Sequence, residues 1–267
     1  MSMIKLFFTG LVTTTAAALI SATAHACSIP ATEDQGDAFA MWDASGWQCS
    51  QSFINYWWSA FDFDEGDWDD GFGYEAPCDN ARPLARTFNG LYSLGYSSTG
   101  NPSCSTSQSN VTLWAQCWSA SQIDELDGRC GSGTRNTGAA ASTLNDGLDH
   151  WTQLKWPFFY GMRISVRGGA IFHEARHAWG CDHNGGTSCP RGASCDFTFT
   201  NGCDGDTIKG SNSYEVSYLA WYLNTAWRTT QALKDSALVR ANDVLQRAYI
   251  FDPCFRLSEN GTTFSTC

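Results

Sequence analysis

Twelve cysteines are the feature that most limits what this chain can fold into. In an exported chain, an even number of cysteines is typical of a disulfide framework, because disulfides form in the oxidising environment outside the cytosol. No two cysteines have the C-x-x-C spacing that is common in zinc–thiolate clusters. The sequence therefore predicts six disulfides, whose pairing the spacing does not determine. The cysteines are Cys27, Cys49, Cys78, Cys104, Cys117, Cys130, Cys181, Cys189, Cys195, Cys203, Cys254 and Cys267.

The first 26 residues have the pattern of a secretory signal peptide. Lys5 supplies a positive charge, residues 6–20 are largely apolar, and Ala24-His25-Ala26 is a cleavage site of the A-x-A type. A lipoprotein would use Cys27 as its first mature residue, but the residues before it are a poor lipobox, so ordinary secretion is favoured. We therefore expect an extracellular protein, with the periplasm as the alternative.

Charge and hydropathy exclude two classes of function. The chain has 27 acidic and 16 basic side chains, a net charge of −11 and an isoelectric point near 4.7. Such a chain lacks the net positive field that binding to a phosphate backbone requires, so no nucleic-acid partner is expected. No apolar run approaches the roughly 20 residues that span a bilayer, so no integral membrane protein is expected either.

The chain after the signal peptide divides into two regions. Residues 27–147 are acidic, aromatic and rich in cysteine, and would form an upper lobe or a pro-region. Residues 148–267 contain the residues that carry chemistry, and the stretch 131–147, rich in Gly, Ser and Thr, is a loop-like boundary between the two. The sequence further predicts a short buried element and three helices, at 52–61, about 169–179, 214–227 and 229–250.

An acidic peak lies at 61–75, where carboxylates could hold Ca²⁺. The spacing does not match the known calcium-loop pattern, and a solvated acidic turn is the other interpretation. Aromatic side chains interleaved with these acids could stack on sugars or could pack in the core. The acids are Asp62, Asp64, Asp67, Asp69 and Asp70, and the aromatics are Trp68, Phe72 and Tyr74.

The segment HEARHAWGCDH, residues 173–183, carries the most specific chemical signal. His173 and His177 are four residues apart, so on a helix both rings can face one metal ion. Glu174 beside them could accept a proton from a water molecule that zinc activates. Gly180 is a residue at which a helix can end, and His183 could then return to the same ion as a third ligand.

A different third ligand is also compatible with the sequence. Glu215, at the start of a predicted helix, could take the place of His183, although an acid in the first turn is also favoured by the helix dipole. On the same helix, one of Tyr214, Tyr218 and Tyr222 could donate to a developing oxyanion, or all three could form a packed aromatic face.

The eleven-residue segment resembles the metzincin metallopeptidases, whose motif H-E-x-x-H-x-x-G-x-x-H it matches at every fixed position. The resemblance implies Zn²⁺ bound by His173, His177 and His183, with Glu174 as general base for peptide hydrolysis. It also implies a two-lobed α+β domain with the zinc-site helix at the base of a cleft. No methionine follows His183, so the methionine turn of that family has no counterpart in the sequence.

These patterns together predict a secreted, disulfide-rich, zinc-dependent endopeptidase that acts on a protein or peptide substrate. The alternative is a secreted module that binds glycans or proteins through residues 52–75, with a structural metal or none.

Overall fold

A computed structural model describes residues 34–41, 47–68, 83–98, 103, 111–130, 139–145, 149–180, 211–248, 256–257 and 264–265. The helices are α1 Asp34–Met41, α2 Gln51–Ala60, α3 Pro83–Tyr96, α4 Val111–Ala120, α5 Trp156–Gly161, α6 Ile164–Ala178, α7 Ser211–Thr225 and α8 Gln231–Ala248. The strands are β1 Glu125–Arg129, β2 Ala141–Asn145, β3 His150–Lys155, β4 Arg256–Leu257 and β5 Phe264–Ser265. The predicted signal peptide at 1–26 and His183 lie outside the described residues.

The described part of the chain is mostly helical, with a small three-stranded sheet in the order β1-β3-β2. The parallel pair is β1 and β3, whereas β2 runs antiparallel to β3. The predicted α+β class is confirmed at this level. Two strands come from the predicted N-terminal region and β3 comes from the region after it.

Strand β2 corrects the prediction that residues 131–147 form a loop throughout. Ser, Thr and Gly made the stretch look irregular, but Ser142-Thr143-Leu144 can adopt an extended conformation once a partner strand is present. Thr143 pairs with Thr152 of β3, and their hydroxyl oxygens are 2.8 Å apart. Pairing with a distant segment therefore decides the structure here, which local composition does not reveal.

Helix α6 is the central helix and is buried along almost its whole length. It begins at Ile164, five residues before the predicted start, and packs against α3, α7 and the sheet. Gly168 makes this packing possible, because a Cβ atom there would lie 2.6 Å from the Tyr218 hydroxyl and 2.7 Å from that of Ser93. The absence of a side chain thus lets α7 and α3 approach α6 closely.

The last two predicted helices exist with shifted ends. Helix α7 spans Ser211–Thr225 where 214–227 is predicted, and α8 spans Gln231–Ala248 where 229–250 is predicted. Tyr218 and Tyr222 are fully buried, and their hydroxyl oxygens lie 3.2 Å from Ser93 Oγ and 2.7 Å from Thr229 Oγ1. These two tyrosines therefore belong to the packed aromatic face.

The aromatic residues around 52–68 form the core of the N-terminal part. The predicted buried element is α2, whose N-cap Ser50 accepts a hydrogen bond from the Phe53 backbone. The buried members of this group are Phe53, Trp57, Phe61, Phe63 and Trp68. Because these five rings pack in the core, they are not available as a glycan-binding surface. Phe72 and Tyr74, the other aromatics named for sugar stacking, lie outside the described residues.

Two further findings concern the class of protein. Cys117 and Cys130 each take part in a disulfide. The full framework of six disulfides stays a prediction. In the described ranges, none of the helices combines the length and apolarity needed to cross a bilayer.

Candidate metal centre

Helix α6 brings His173 and His177 together at one face, as their spacing predicts. Their Nε2 atoms are 3.1 Å apart, and the ring centroids are separated by 4.8 Å. The His173 side chain is almost fully buried. Two imidazole nitrogens therefore converge on one point at the boundary of the core.

Two side chains of helix α7 contact the other ring nitrogen, Nδ1, of each histidine. Ser211 Oγ lies 3.1 Å from Nδ1 of His177, and Glu215 Oε2 lies 3.2 Å from Nδ1 of His173. Since both Nδ1 atoms face α7, both Nε2 atoms are turned toward each other.

Glu215 is a buried carboxylate with a strong cationic partner. Its Oε1 accepts a 2.6 Å hydrogen bond from Nε of Arg240 on α8. Burial would raise the pKa of Glu215, but the charge of Arg240 and the His173 ring outweigh burial and lower the pKa from 4.5 to about 2. Glu215 is therefore ionised at neutral pH and can only accept hydrogen bonds.

This position argues against Glu215 as the third metal ligand. The carboxylate faces Nδ1 of His173, on the far side of the ring from the Nε2 atom that faces His177. In the structure Glu215 contacts Nδ1 of His173 and does not contact the two Nε2 atoms that face each other. His183, the other predicted third ligand, lies outside the described residues.

Glu174 is held by the edge strand of the sheet. Thr143 Oγ1 donates a 2.8 Å hydrogen bond to Glu174 Oε2, and Thr143 is itself in contact with Thr152. The Glu174 side chain is 7% exposed. The predicted general base is therefore adjacent to His173 in sequence, and a hydroxyl from β2 orients its carboxylate.

The helix ends where Gly180 predicts. Gly180 has a φ of +96°, a conformation that glycine adopts at little cost, and its N–H donates to the His177 carbonyl at 2.8 Å. The chain thus leaves the helix within one turn of the second histidine.

The donor set fits a zinc ion in part. Zn–N bonds of 2.0–2.1 Å in a tetrahedral site place two ligand nitrogens about 3.3 Å apart, close to the 3.1 Å observed between the Nε2 atoms. Within the described ranges, however, no group of three His, Cys, Asp or Glu side chains could hold a metal. The structure therefore brings together two predicted ligands, and the predicted third lies beyond the described residues.

Sequence reasoning missed Thr143 and Ser211, and it gave Glu215 a different role. One signal could have found the pair on α7: Ser211 and Glu215 have the same four-residue spacing as His173 and His177. When two helices pack side by side, pairs with equal spacing can contact each other. Whether they do depends on the relative register of the helices, which the sequence does not show. No local pattern marks Thr143.

A group of acids that is separate in sequence from the histidines surrounds Glu125 at the start of β1. In the acidic peak at 61–75, Asp64 caps a short turn by accepting from the Gly66 backbone, and Asp67 shares a hydrogen bond with Glu125. Asp69 and Asp70 lie outside the described residues. Asp64 and Asp67 thus bond to the protein itself, and no metal-binding group of three is found among the described residues.

We expect Glu125→Gln to stabilise the protein at pH 8 but not at pH 4. Burial, the hydrogen bond with Asp67 and nearby acidic charges raise the pKa of Glu125 from 4.5 to about 7. The folded state thus holds a proton that the unfolded state has released, so stability falls as pH rises from about 4.5 to 7. Because Glu125 is only partly buried and solvent screens much of the effect, the variant should gain only roughly 2–4 °C in Tm at pH 8, the effect of a change of about 1 kcal/mol in a domain of this size. An unchanged pH dependence of Tm in the variant would contradict this explanation.

No family model matches the chain, and no curated protein or solved structure matches it either. Together with the absence of a three-residue metal group in the described ranges, this overturns the resemblance to the metzincins. The assignment to that family is wrong. It depended on eleven residues, whereas a family is defined by a pattern over the whole fold.

Proposed function

We propose that this chain is a secreted zinc-dependent endopeptidase. His173 and His177 would be two zinc ligands, His183 the predicted third, and Glu174 the general base. The observation that carries the proposal is the pair of Nε2 atoms 3.1 Å apart, each ring contacted at Nδ1 by a residue of α7. Export rests on the signal pattern at 1–26, and the two-lobed, disulfide-rich form of the domain stays a prediction.

A cation between the rings agrees with the hydrogen-bonding groups around them. The Glu215 carboxylate, 3.2 Å from Nδ1 of His173, favours the neutral tautomer with its proton on Nδ1, which leaves a lone pair on Nε2. Ser211 can either donate to His177 or accept from it, because its hydroxyl rotates. Without metal, His177 can donate its Nε2 proton to His173; with metal, Ser211 can accept from Nδ1 of His177 so that both lone pairs converge.

Zinc suits this site because neutral imidazole is one of its preferred ligands. A bound zinc ion would act as a Lewis acid and lower the pKa of water toward neutrality. The protein itself must supply a general base that accepts the proton of this water. Glu174 has two carboxylate oxygens, so the hydrogen bond from Thr143 orients the group and leaves it able to accept a proton and pass it to the leaving amine.

The edge strand supports a peptide as substrate. Strand β2 is at the edge of the described sheet and contributes Thr143 to Glu174. Leu144 on the other face of β2 is 59% exposed. An extended peptide could add to such an edge through main-chain hydrogen bonds, which would place its backbone beside the general base.

Metal analysis of the purified mature protein tests this proposal. We expect about one zinc per chain, as in a mononuclear catalytic site, and hydrolysis of a denatured protein that stops when a chelator removes the metal. Adding equimolar zinc should restore the activity. Full hydrolysis by the metal-free protein would refute the mechanism, and a protein with neither zinc nor hydrolysis would favour the binding module.

A further inference from the structure

Two polar side chains of α7 each contact one of the two histidines of α6. Ser211 and Glu215 are four residues apart, as are His173 and His177, and each contacts Nδ1 of one ring. Both α7 side chains are 1% exposed. We propose that Ser211 and Glu215 are positioning residues that fix the orientation of His173 and His177 for metal binding. This inference depends on the zinc site of the proposed function but not on peptide hydrolysis.

Fixing both rings in advance matters because a free histidine side chain rotates about two bonds and exists in two tautomers. A partner at Nδ1 selects one rotamer and, if it accepts a proton, the tautomer whose Nε2 lone pair can bind a metal. With both rings fixed, the two Nε2 atoms are already 3.1 Å apart, so little ordering is left for the metal to impose.

Glu215 and Ser211 should differ in how strongly they affect metal affinity. The Glu215 carboxylate is buried and anchored by Arg240, so it holds the His173 ring from one fixed position, whereas the Ser211 hydroxyl can rotate and is compatible with both tautomers of His177. Arg240 adds a further constraint, because its bond to Oε1 of Glu215 turns Oε2 toward His173. The larger effect on metal affinity is therefore expected from Glu215.

The packing of the two helices is consistent with this role. At Gly169 of α6, a Cβ atom would lie 3.3 Å from Cγ of Glu215. A residue larger than glycine at this position would press on the Glu215 side chain. Glycine here allows α7 to come close enough for its carboxylate to reach the histidine ring.

The test is zinc affinity, measured by competition with a chromogenic chelator on the full mature chain. We expect Glu215→Gln to weaken binding about 10- to 100-fold, as is usual for residues that orient metal-bound histidines, and Ser211→Ala to weaken it by a smaller factor. Ser236→Ala is the matched control, because that exposed serine bonds only to the Ala232 carbonyl of its own helix among the contacts described. It should bind zinc like the unchanged chain.

Ser211→Ala keeps the Glu215–Arg240 pair, so the test does not depend on whether Glu215→Gln folds. The absorption spectrum of the Co²⁺-substituted protein adds a second readout, because altered ring orientation changes it and a loss of stability alone does not. Wild-type zinc affinity in both variants would overturn the positioning role and leave the proposed function standing. Weakened affinity in a protein that cleaves no peptide would support this inference and refute the peptidase. A wild-type chain with no zinc affinity would refute both.

Discussion

Glu174→Gln is expected to keep its zinc and to lose about 10²- to 10⁴-fold in kcat/KM on a protein substrate, the usual contribution of a general base. The amide has the size of the carboxylate, and its oxygen can still accept the hydrogen bond from Thr143. It cannot accept a proton at neutral pH. The variant thus removes the proton acceptor and leaves the surrounding structure in place.

Glu125→Gln is the matched control for this variant. It makes the same chemical change on β1, where Glu125 bonds with Asp67 and not with the histidines. We expect unchanged zinc content and unchanged hydrolysis. If Glu174→Gln kept full activity in the assay in which Glu125→Gln also kept it, Glu174 would not be the general base.

The spacing of residues in the sequence was enough to predict that the two histidines share a helix face and that α6 ends near Gly180. A helix fixes the relation of residues four apart, so His173 and His177 share a face wherever the helix lies. The end of α6 was predictable for the same reason, since Gly180 can adopt the positive φ that stops a helix. Both inferences need only the geometry of one turn.

The partners of these residues could not be predicted, because they come from elsewhere in the chain. Thr143 lies 31 residues from Glu174, and Ser211 lies 34 residues from His177. Whether Glu215 binds a metal or a histidine depends on how α7 is placed along α6, to within a fraction of a turn. Packing between helices sets that placement, and the sequence of either helix alone does not specify it.

The failed family assignment has a related cause. A short segment can specify a local arrangement of ligands and base, and the same arrangement can occur on unrelated folds. Family membership requires agreement over the core, and no match exists there. The chemistry proposed for His173, His177 and Glu174 therefore has to be judged by their geometry and not by descent.

Arg240→Met is expected to lower the free energy of unfolding at pH 7 by about 3 kcal/mol, the lower end of the usual cost of breaking a buried ion pair, because the Arg240 side chain is 25% exposed. Glu215 is 1% exposed and would remain as a buried negative charge without its guanidinium partner. Methionine keeps much of the volume of the arginine stem, so loss of packing should contribute little. Urea unfolding measures the change, and Asp243→Asn is the control, because Asp243 is 53% exposed and lies 3.5 Å from Arg240. That control should cost less than about 1 kcal/mol.

The pH dependence identifies the charge as the cause. In the wild type the lowered pKa of Glu215 contributes stability that is complete above pH 4.5 and is lost as pH falls toward 2. In Arg240→Met this pKa should rise, so the difference between variant and wild type should shrink as the solution is acidified. The double variant Glu215→Gln with Arg240→Met should be more stable at pH 7 than Arg240→Met alone, because no buried charge remains. A destabilisation that is equal at pH 4 and pH 7, and equal in the double variant, would mean that Arg240 acts through packing and not through its charge.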